Sequence, residues 1–415
     1  MSAGLLLTVS AACLAQNVTA PHALTWQETQ ARFRANNPSL LAGRVTIDEA
    51  RADEITAFLR PNPNLTLSWD QFTPFNDNPY RPIAQSYVFW TIDYLHEREH
   101  KRELRLESAQ KATAITVSTQ DDLERNLLFN LRDAFVRVLL AKAVVGVTKE
   151  NLDYYDKVLA INNDRFKAGA IAQVDFQRLQ LQRVQFVSDL ATAQVNLRTA
   201  KIDLQALLRD HTPVAEFDVS EKFEYTEPVI TLDELHAAAL STRPDLKEAQ
   251  QSVAKAKTDH QLAIANGSSD PTFAFDASHQ PSPLNTYVGF SVNFPLRIFD
   301  KNQGEKLRTS LDIGRNEKLR DEAELTVLHD VDSAWATLQS TLELLRPYRS
   351  EYLKEAADVR STISFSYQHG AASLLDFLDA QKEYRDTELS YLNLVGASFS
   401  AANQVNFAIG QQILP

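Results

Sequence analysis

Residues 165–178 read Arg-Phe-Lys-Ala-Gly-Ala-Ile-Ala-Gln-Val-Asp-Phe-Gln-Arg, and residues 366–379 read Ser-Tyr-Gln-His-Gly-Ala-Ala-Ser-Leu-Leu-Asp-Phe-Leu-Asp. Phe166-Lys-Ala-Gly169 aligns with Tyr367-Gln-His-Gly370, and Asp175-Phe176 with Asp376-Phe377, at a constant offset of 201. Each glycine is placed to end one helix and let the chain reverse into the next. Heptads flank the first turn. Apolar and small residues step by three and four from Leu131 through Val138, Val145, Leu152, Tyr155 and Asn162 to Phe166. They do so again from Phe176 through Leu179, Arg183, Phe186, Leu190 and Leu197 to Leu207. Adding 201 to the second series gives Phe377, Ala380, Tyr384, Thr387, Tyr391 and so on to Ala408, a third seam of the same spacing. Such seams pack knobs into holes. The pattern predicts two long antiparallel helical hairpins that reverse at Gly169 and Gly370. Thr148, Asn162 and Arg183 in core register suit helices that also face something wet.

Outward from the turns, no proline falls between Ile83 and Thr212, and the only glycines there are Gly146 and Gly169. A helix from about 98 to 167 would be roughly 105 Å long at 1.5 Å per residue. Pro347, inside the second helical run, should kink or break it. Prolines cluster instead around two segments, Pro61 to Pro82 and Pro271 to Pro295. Each cluster brackets two alternating stretches, giving predicted strands at about 63–72, 84–95, 271–279 and 285–295. Their candidate lipid-facing residues are Trp69, Val88, Trp90, Ile92, Phe273, Phe275, Phe290, Val292 and Phe294. The stretches have about the length a tilted barrel strand needs to cross a bilayer. Four strands cannot close a barrel, and open edges are not tolerated in lipid, so several chains would have to share one.

The organisation is a duplicated unit. Leu24-Thr25 and Pro38-Ser39-Leu40 align with Leu232-Asp233 and Pro244-Asp245-Leu246 near an offset of 206. The first half therefore has about five extra residues, most simply in the loop around Pro74–Pro82. The repeats run over 16–213 and 231–415, joined by a linker at 214–230, with helical hairpins at about 98–210 and 300–410. The fold class is mainly α with a β-barrel contribution.

The 415-residue chain carries a formal net charge of −12, which argues against a polybasic nucleic-acid binder. It has one cysteine, so no intrachain disulfide or cysteine-based metal cluster is possible. Residues 4–15 are an apolar run ending in small residues, as a secretory signal ends, with cleavage expected after Ala15. Lipidation at Cys13 and a buried N-terminal helix are the alternatives. His96-Glu97-Arg98-Glu99-His100 is a literal H-E-x-x-H, the zincin pattern, but it sits where a strand meets a long helix, far from any third ligand. There is no G-x-S-x-G, P-loop or Rossmann fingerprint, and neither an enzyme nor a cofactor is expected.

Two copies of helix, strand hairpin and very long helical hairpin after an export signal closely resemble the TolC family of outer-membrane efflux proteins. The stretch Leu374-Leu-Asp376-Phe377-Leu-Asp379-Ala-Gln381 after Tyr367-Gln-His-Gly370 is similar to that family's periplasmic tip. Chain length looks most like the CzcC-type branch, which serves metal-cation exporters. The resemblance implies a homotrimer: a twelve-stranded barrel in outer-membrane lipid continuing into a periplasmic tunnel of twelve helices. It implies docking to a periplasmic adaptor linked to an inner-membrane pump of the resistance-nodulation-division type. Gly169, Asp175, Gly370 and Phe377 would be adaptor-docking tips. Asp376 and Asp379 would form a cation-selective ring at the periplasmic gate, though two aspartates three apart also suit the start of a helix. The rival readings are a soluble periplasmic coiled-coil scaffold or adaptor and, remotely, a zinc metalloprotease. The cargo, whether metal cation, drug or other molecule, is not legible in the chain.

Overall fold

A computed structural model describes residues 23–70, 86–279 and 286–414, with Phe75, Pro79 and Ile83; the expected signal and Cys13 lie outside the described residues. The elements are α1 (Trp26–Asn36), α2 (Pro38–Phe58), β1 (Asn64–Asp70), β2 (Tyr87–Leu95), α3 (Lys101–Lys167) and α4 (Gln173–Leu208). The same order then recurs: α5 (Leu232–Thr242), α6 (Pro244–Ala265), β3 (Thr272–His279), β4 (Thr286–Asn293), α7 (Gln303–Pro347), α8 (Leu353–Gln368) and α9 (Leu374–Ile409). The duplication extends to the caps. Helices α1 and α5 open on the same capping box, Thr25 with Glu28 and Thr231 with Glu234. Helix α4 ends on a left-handed residue, Arg209, and a left-handed Gly410 follows α9 at the offset of 201. Pro347 does not break its helix. The chain widens into a π turn at Tyr348–Tyr352 and resumes as α8, an irregularity of the kind at which helices bend without ending.

Two compact units form. The first comprises Met1–Asn37, Leu131–Tyr225 and Leu344–Ala397. In it Trp26 packs edge-on to Phe135 at 5.6 Å, with the Arg132 guanidinium 4.8 Å over the Trp26 ring and bonded to Glu221. The segment 214–230, expected as a linker, is anchored by packing. Leu24 pairs with Val219 in a parallel bridge, and Phe217, Val219 and Tyr225 are buried. A second cluster joins Tyr155, Val158, Leu179, Phe186, Tyr367 and Phe377.

The second unit comprises Pro38–Asn130, Thr226–Glu343 and Ser398–Pro415. It holds one four-stranded antiparallel sheet in the order β1-β2-β3-β4. The central pairing, Trp90 with Ala277 and Ile92 with Phe275, joins the two repeats. The register puts Leu65, Leu67, Trp69, Val88, Trp90, Ile92, Phe273, Phe275, Phe290 and Val292 on one face. The opposite face carries Thr66, Ser68, Thr91, Asp93, Asp276, Ser291 and Asn293, with Tyr87, Phe89 and Tyr287 as its aromatics. Where the sheet gives way to α3, buried Lys101 donates to Asp270 at 2.6 Å and to the Ser268 carbonyl at 3.0 Å. The connection from Asp70 to Tyr87 is longer than that from His279 to Thr286 by more than the five residues expected, so part of its extra length is offset elsewhere in the repeat.

The end of α9 is tied down by charge. Buried Arg243 donates to Asp245 at 2.9 Å, to Asp330 at 3.0 Å and to the Ala408 carbonyl at 2.9 Å. Removing the cation leaves two carboxylates and a carbonyl facing one another. With both carboxylates partly open to water, Arg243→Met is expected to cost about 2–3 kcal/mol. A lowered guanidinium midpoint of the detergent-solubilised protein is the readout.

Candidate functional site

The two helical turns are built alike. Gly169 and Gly370 have φ of 74° and 75°. Nothing stands within 4 Å of where either Cβ would lie, so the backbone's handedness, not space, requires glycine there. Each turn closes with the same pair of bonds. Gly169 N donates to the Phe166 carbonyl and Ala170 N to that of Arg165; Gly370 N donates to Tyr367 and Ala371 N to Ser366. This is the two-bond closure that satisfies a helix's last carbonyls. Gly169 and Gly370 are exposed, and Asp175 is half-buried.

The helices leaving the turns start differently. At α9 a reciprocal cap forms: Asp376 N donates to Ser373 Oγ at 3.2 Å, while Ser373 N and Oγ donate to Asp376 Oδ2 at 3.0 and 2.8 Å. The Ser373 side-chain and backbone bonds hold the exposed Asp376 carboxyl below the usual carboxylate range. At α4 the matching position is Ala172, which gives no side-chain cap. Asp379 is exposed one turn beyond Asp376. Within one chain, Asp376 thus caps its helix and keeps its charge.

Phe377 requires a correction. It is only 1% exposed and stacks on Tyr367 at 5.0 Å between centroids, so it cannot meet an adaptor. It is the packing residue beneath the turn, because it heads the buried seam of α9.

Around this cluster lies a set of ties between the two hairpins that the sequence reading missed. Tyr367 donates to Asn162 Oδ1 at 3.1 Å, and Tyr154 to Ser364 Oγ at 3.1 Å. Asn151 Nδ2 donates to Glu388 at 3.0 Å. Arg385 pairs with Asp189 at 3.3 Å. The Arg360 guanidinium lies 3.5 Å from the Tyr384 ring centroid and 4.7 Å from that of Tyr154, a cation between two aromatic faces. Burial, with the hydroxyl bonded to Glu388, pushes the Tyr384 phenol up to about 12. The available signal was the presence of Tyr155, Asn162 and Tyr384 in core register, where a polar atom needs a named partner. Arg183, also in that register, escapes by pairing with Asp156 at 2.6 Å.

The H-E-x-x-H stretch is not a helix. Glu99 and His100 both adopt left-handed φ, 54° and 53°, and α3 starts only at Lys101. The two histidines therefore do not share a helical face. Glu97 is bonded to Arg105 and Arg98 N to Asp270. The stretch joins strand to helix, and the zinc-protease geometry is not formed. Among the described residues, no group of three or more His, Cys, Asp or Glu side chains is placed to hold a metal.

The nine candidate lipid-facing residues are all exposed in the single chain. Eight share the apolar face; Phe294 lies one residue past the end of β4. Among the described residues, no helix is long and apolar enough to cross a membrane.

One face of the four-stranded sheet is apolar and exposed, and two long helical hairpins accompany it. The comparisons agree: residues 235–411, within the second repeat, match the family described as Outer membrane efflux protein. It is 22% identical to the cobalt-zinc-cadmium resistance protein CzcC of Cupriavidus metallidurans, over 75% of this chain and 74% of that one. It is 20% identical to outer membrane protein TolC of Salmonella enteritidis, over 91% and 80%. A crystal structure of CusC superposes with a TM-score of 0.76 at 18% identity, over 93% of this chain and 92% of that chain, which shows the shared fold.

Two outcomes follow. Phe377→Ala removes a fully buried ring and is expected to cost about 3–5 kcal/mol, read as faster amide hydrogen exchange on both sides of Gly370. For Asp376 the folded carboxyl titrates below its unfolded value, so the cap's contribution is complete above that unfolded value and is lost as pH falls through the folded one. Ser373→Ala should move the Asp376 titration upward, followed by carboxyl carbon NMR of labelled protein.

Proposed function

We propose that three copies of this chain form a passive conduit, a twelve-stranded barrel in the outer membrane continuous with a periplasmic tunnel of helices. The observation that carries the reading is the sheet. One face is apolar across all four strands, and among the described residues β1 and β4 each pair on one side only. A hydrocarbon environment accepts such a sheet only when its edges are closed. Three four-stranded sheets joined edge to edge satisfy this, with the polar face carrying Asp93 and Asp276 turned to a wet lumen. A periplasmic scaffold would leave the apolar face against water.

The turns at Gly169 and Gly370, with Asp175 beside the first, are the surfaces for a periplasmic adaptor, and through it for an inner-membrane pump of the resistance-nodulation-division type. In the trimer, Asp376 and Asp379 from three chains place six carboxylates around the narrow end. Fixed negative charge there favours cations. Likeness to CzcC and CusC, a cobalt-zinc-cadmium resistance protein and a cation efflux protein, supports metal cations as the cargo.

Native mass measured on detergent-extracted outer membranes tests the assembly, and a soluble monomer would refute it. Single-channel recording tests the ring. Asp376→Asn with Asp379→Asn is expected to lower the cation-to-anion permeability ratio several-fold, and an unchanged ratio would remove these residues from the gate.

A further inference from the structure

The repeats are joined inside the chain by a defined contact. Asn151 and Tyr154 on α3 and Asp189 on α4 form the first repeat's side of it. Ser364 on α8, with Arg385 and Glu388 on α9, forms the second repeat's side. The offset of 201 carries each side onto its counterpart. Adding it to Asn151, Tyr154 and Asp189 gives Tyr352, Glu355 and Ser390. These three residues line an open groove of about 590 Å³ that runs between α9 and the π turn with α8. The second repeat's copy of the contact face is therefore present and has no occupant in the single chain.

Subtracting 201 from Arg385 and Glu388 gives Val184 and Val187 on α4. Val184 is 63% exposed and Val187 41%, and Leu181, one turn before Val184, is 71% exposed. They are spaced by three, away from buried Leu179 and Phe186 of the same helix. Val174, Val195 and Ile202 continue the exposed stripe along α4 at multiples of seven from Leu181 and Val174. Helix α4 thus has two seams. One is buried in its own hairpin, and the other is apolar and unpartnered.

We propose that the second seam of α4, at Leu181, Val184 and Val187, seats in the groove lined by Tyr352, Glu355 and Ser390 of a neighbouring copy. The occupant is a second copy because the operation relating repeat one to repeat two within the chain, applied once more, brings the first repeat of another copy onto the empty groove. The single-sided edge strands β1 and β4 call for that neighbour independently. A head-to-tail contact of this kind closes into a ring when the rotation closes. The chemistry changes between the two contacts. The internal pair Arg385–Asp189 becomes Val184 against Ser390, and Glu388–Asn151 becomes Val187 against Tyr352. The third pair, Tyr154–Ser364, becomes Glu355 against Asn163, so the contact sets two valines of α4 and one polar pair against the groove, with Tyr352 as the aromatic anchor. Tyr352 is supported edge-on by Tyr348 at 5.4 Å, and such rigid aromatics dominate interface energy. The π turn after Pro347 supplies both rings, which assigns a purpose to the irregularity. The assignment rests on the trimeric reading.

Disulfide trapping tests it in the full chain, with Cys13→Ser removing the only native thiol. Val184→Cys with Ser390→Cys, and separately Val187→Cys with Tyr352→Cys, are oxidised in outer membranes lacking any adaptor. The expected result is a ladder ending at a covalent trimer on a denaturing gel for the double variants, and monomer for each single one. A native trimer that gives no ladder from either pair overturns the seam assignment while the trimer stands. A native monomer overturns both. In a parallel oxidation with a cysteine-bearing adaptor present, Val184→Cys that bonds the adaptor, and not Ser390→Cys, gives the seam to that partner and overturns the assignment as well.

Discussion

The two outer edges of the four-stranded sheet constrain everything else in this chain. Backbone N–H and C=O groups at the free sides of β1 and β4 have no water to turn to in hydrocarbon, and each unmet group there costs several kcal/mol. The register aligns the apolar side chains of all four strands on one face, so the sheet is committed to lipid. In the proposed barrel it would also need neighbours of its own kind. The central pairing of β2 with β3 brings the two repeats together, and the same type of pairing between β4 and another β1 would be its continuation. A duplicated gene product with an antiparallel hairpin in each half is well suited to this, since every edge it offers resembles one it has already paired.

Much of this was legible from spacing. Period two marked the strands, and period 3.5 marked the hairpins. The offset of 201 located both turns, whose glycines carry nearly identical positive φ. The side-chain assignments at the turn were harder. Phe377 reads as an exposed tip residue from its place beside a turn. The heptad arithmetic already put it at the head of a buried seam, and the seam wins because a large ring at the first core position closes the end of the hairpin. Asp376 reads as a pore carboxylate, yet Ser373-x-x-Asp376 is also a capping pattern, and the single chain uses it so. The cap fixes where the carboxylate points, so the two roles are compatible.

Other features left no trace in the periodicity. The αL pair at Glu99 and His100 converts a helical zinc signature into a joint, and glutamate does not announce positive φ. The π turn after Pro347 adds to the helix without stopping it, where proline alone predicts a kink. The ties of Asn151 to Glu388 and of Arg360 to Tyr154 join residues far apart in sequence, so no local pattern could name the partners.

The differences between the repeats are where specificity enters. Identical halves would make all contacts around a ring equivalent. Here the first hairpin starts at uncapped Ala172 and carries Arg178 where the second carries Asp379, so carboxylates concentrate on one hairpin of each protomer. Polar ties hold the two hairpins of one chain together, while the corresponding outward surface of α4 is valine and leucine. Polar contacts can exchange partners with water at modest cost, whereas an apolar seam holds by excluding it.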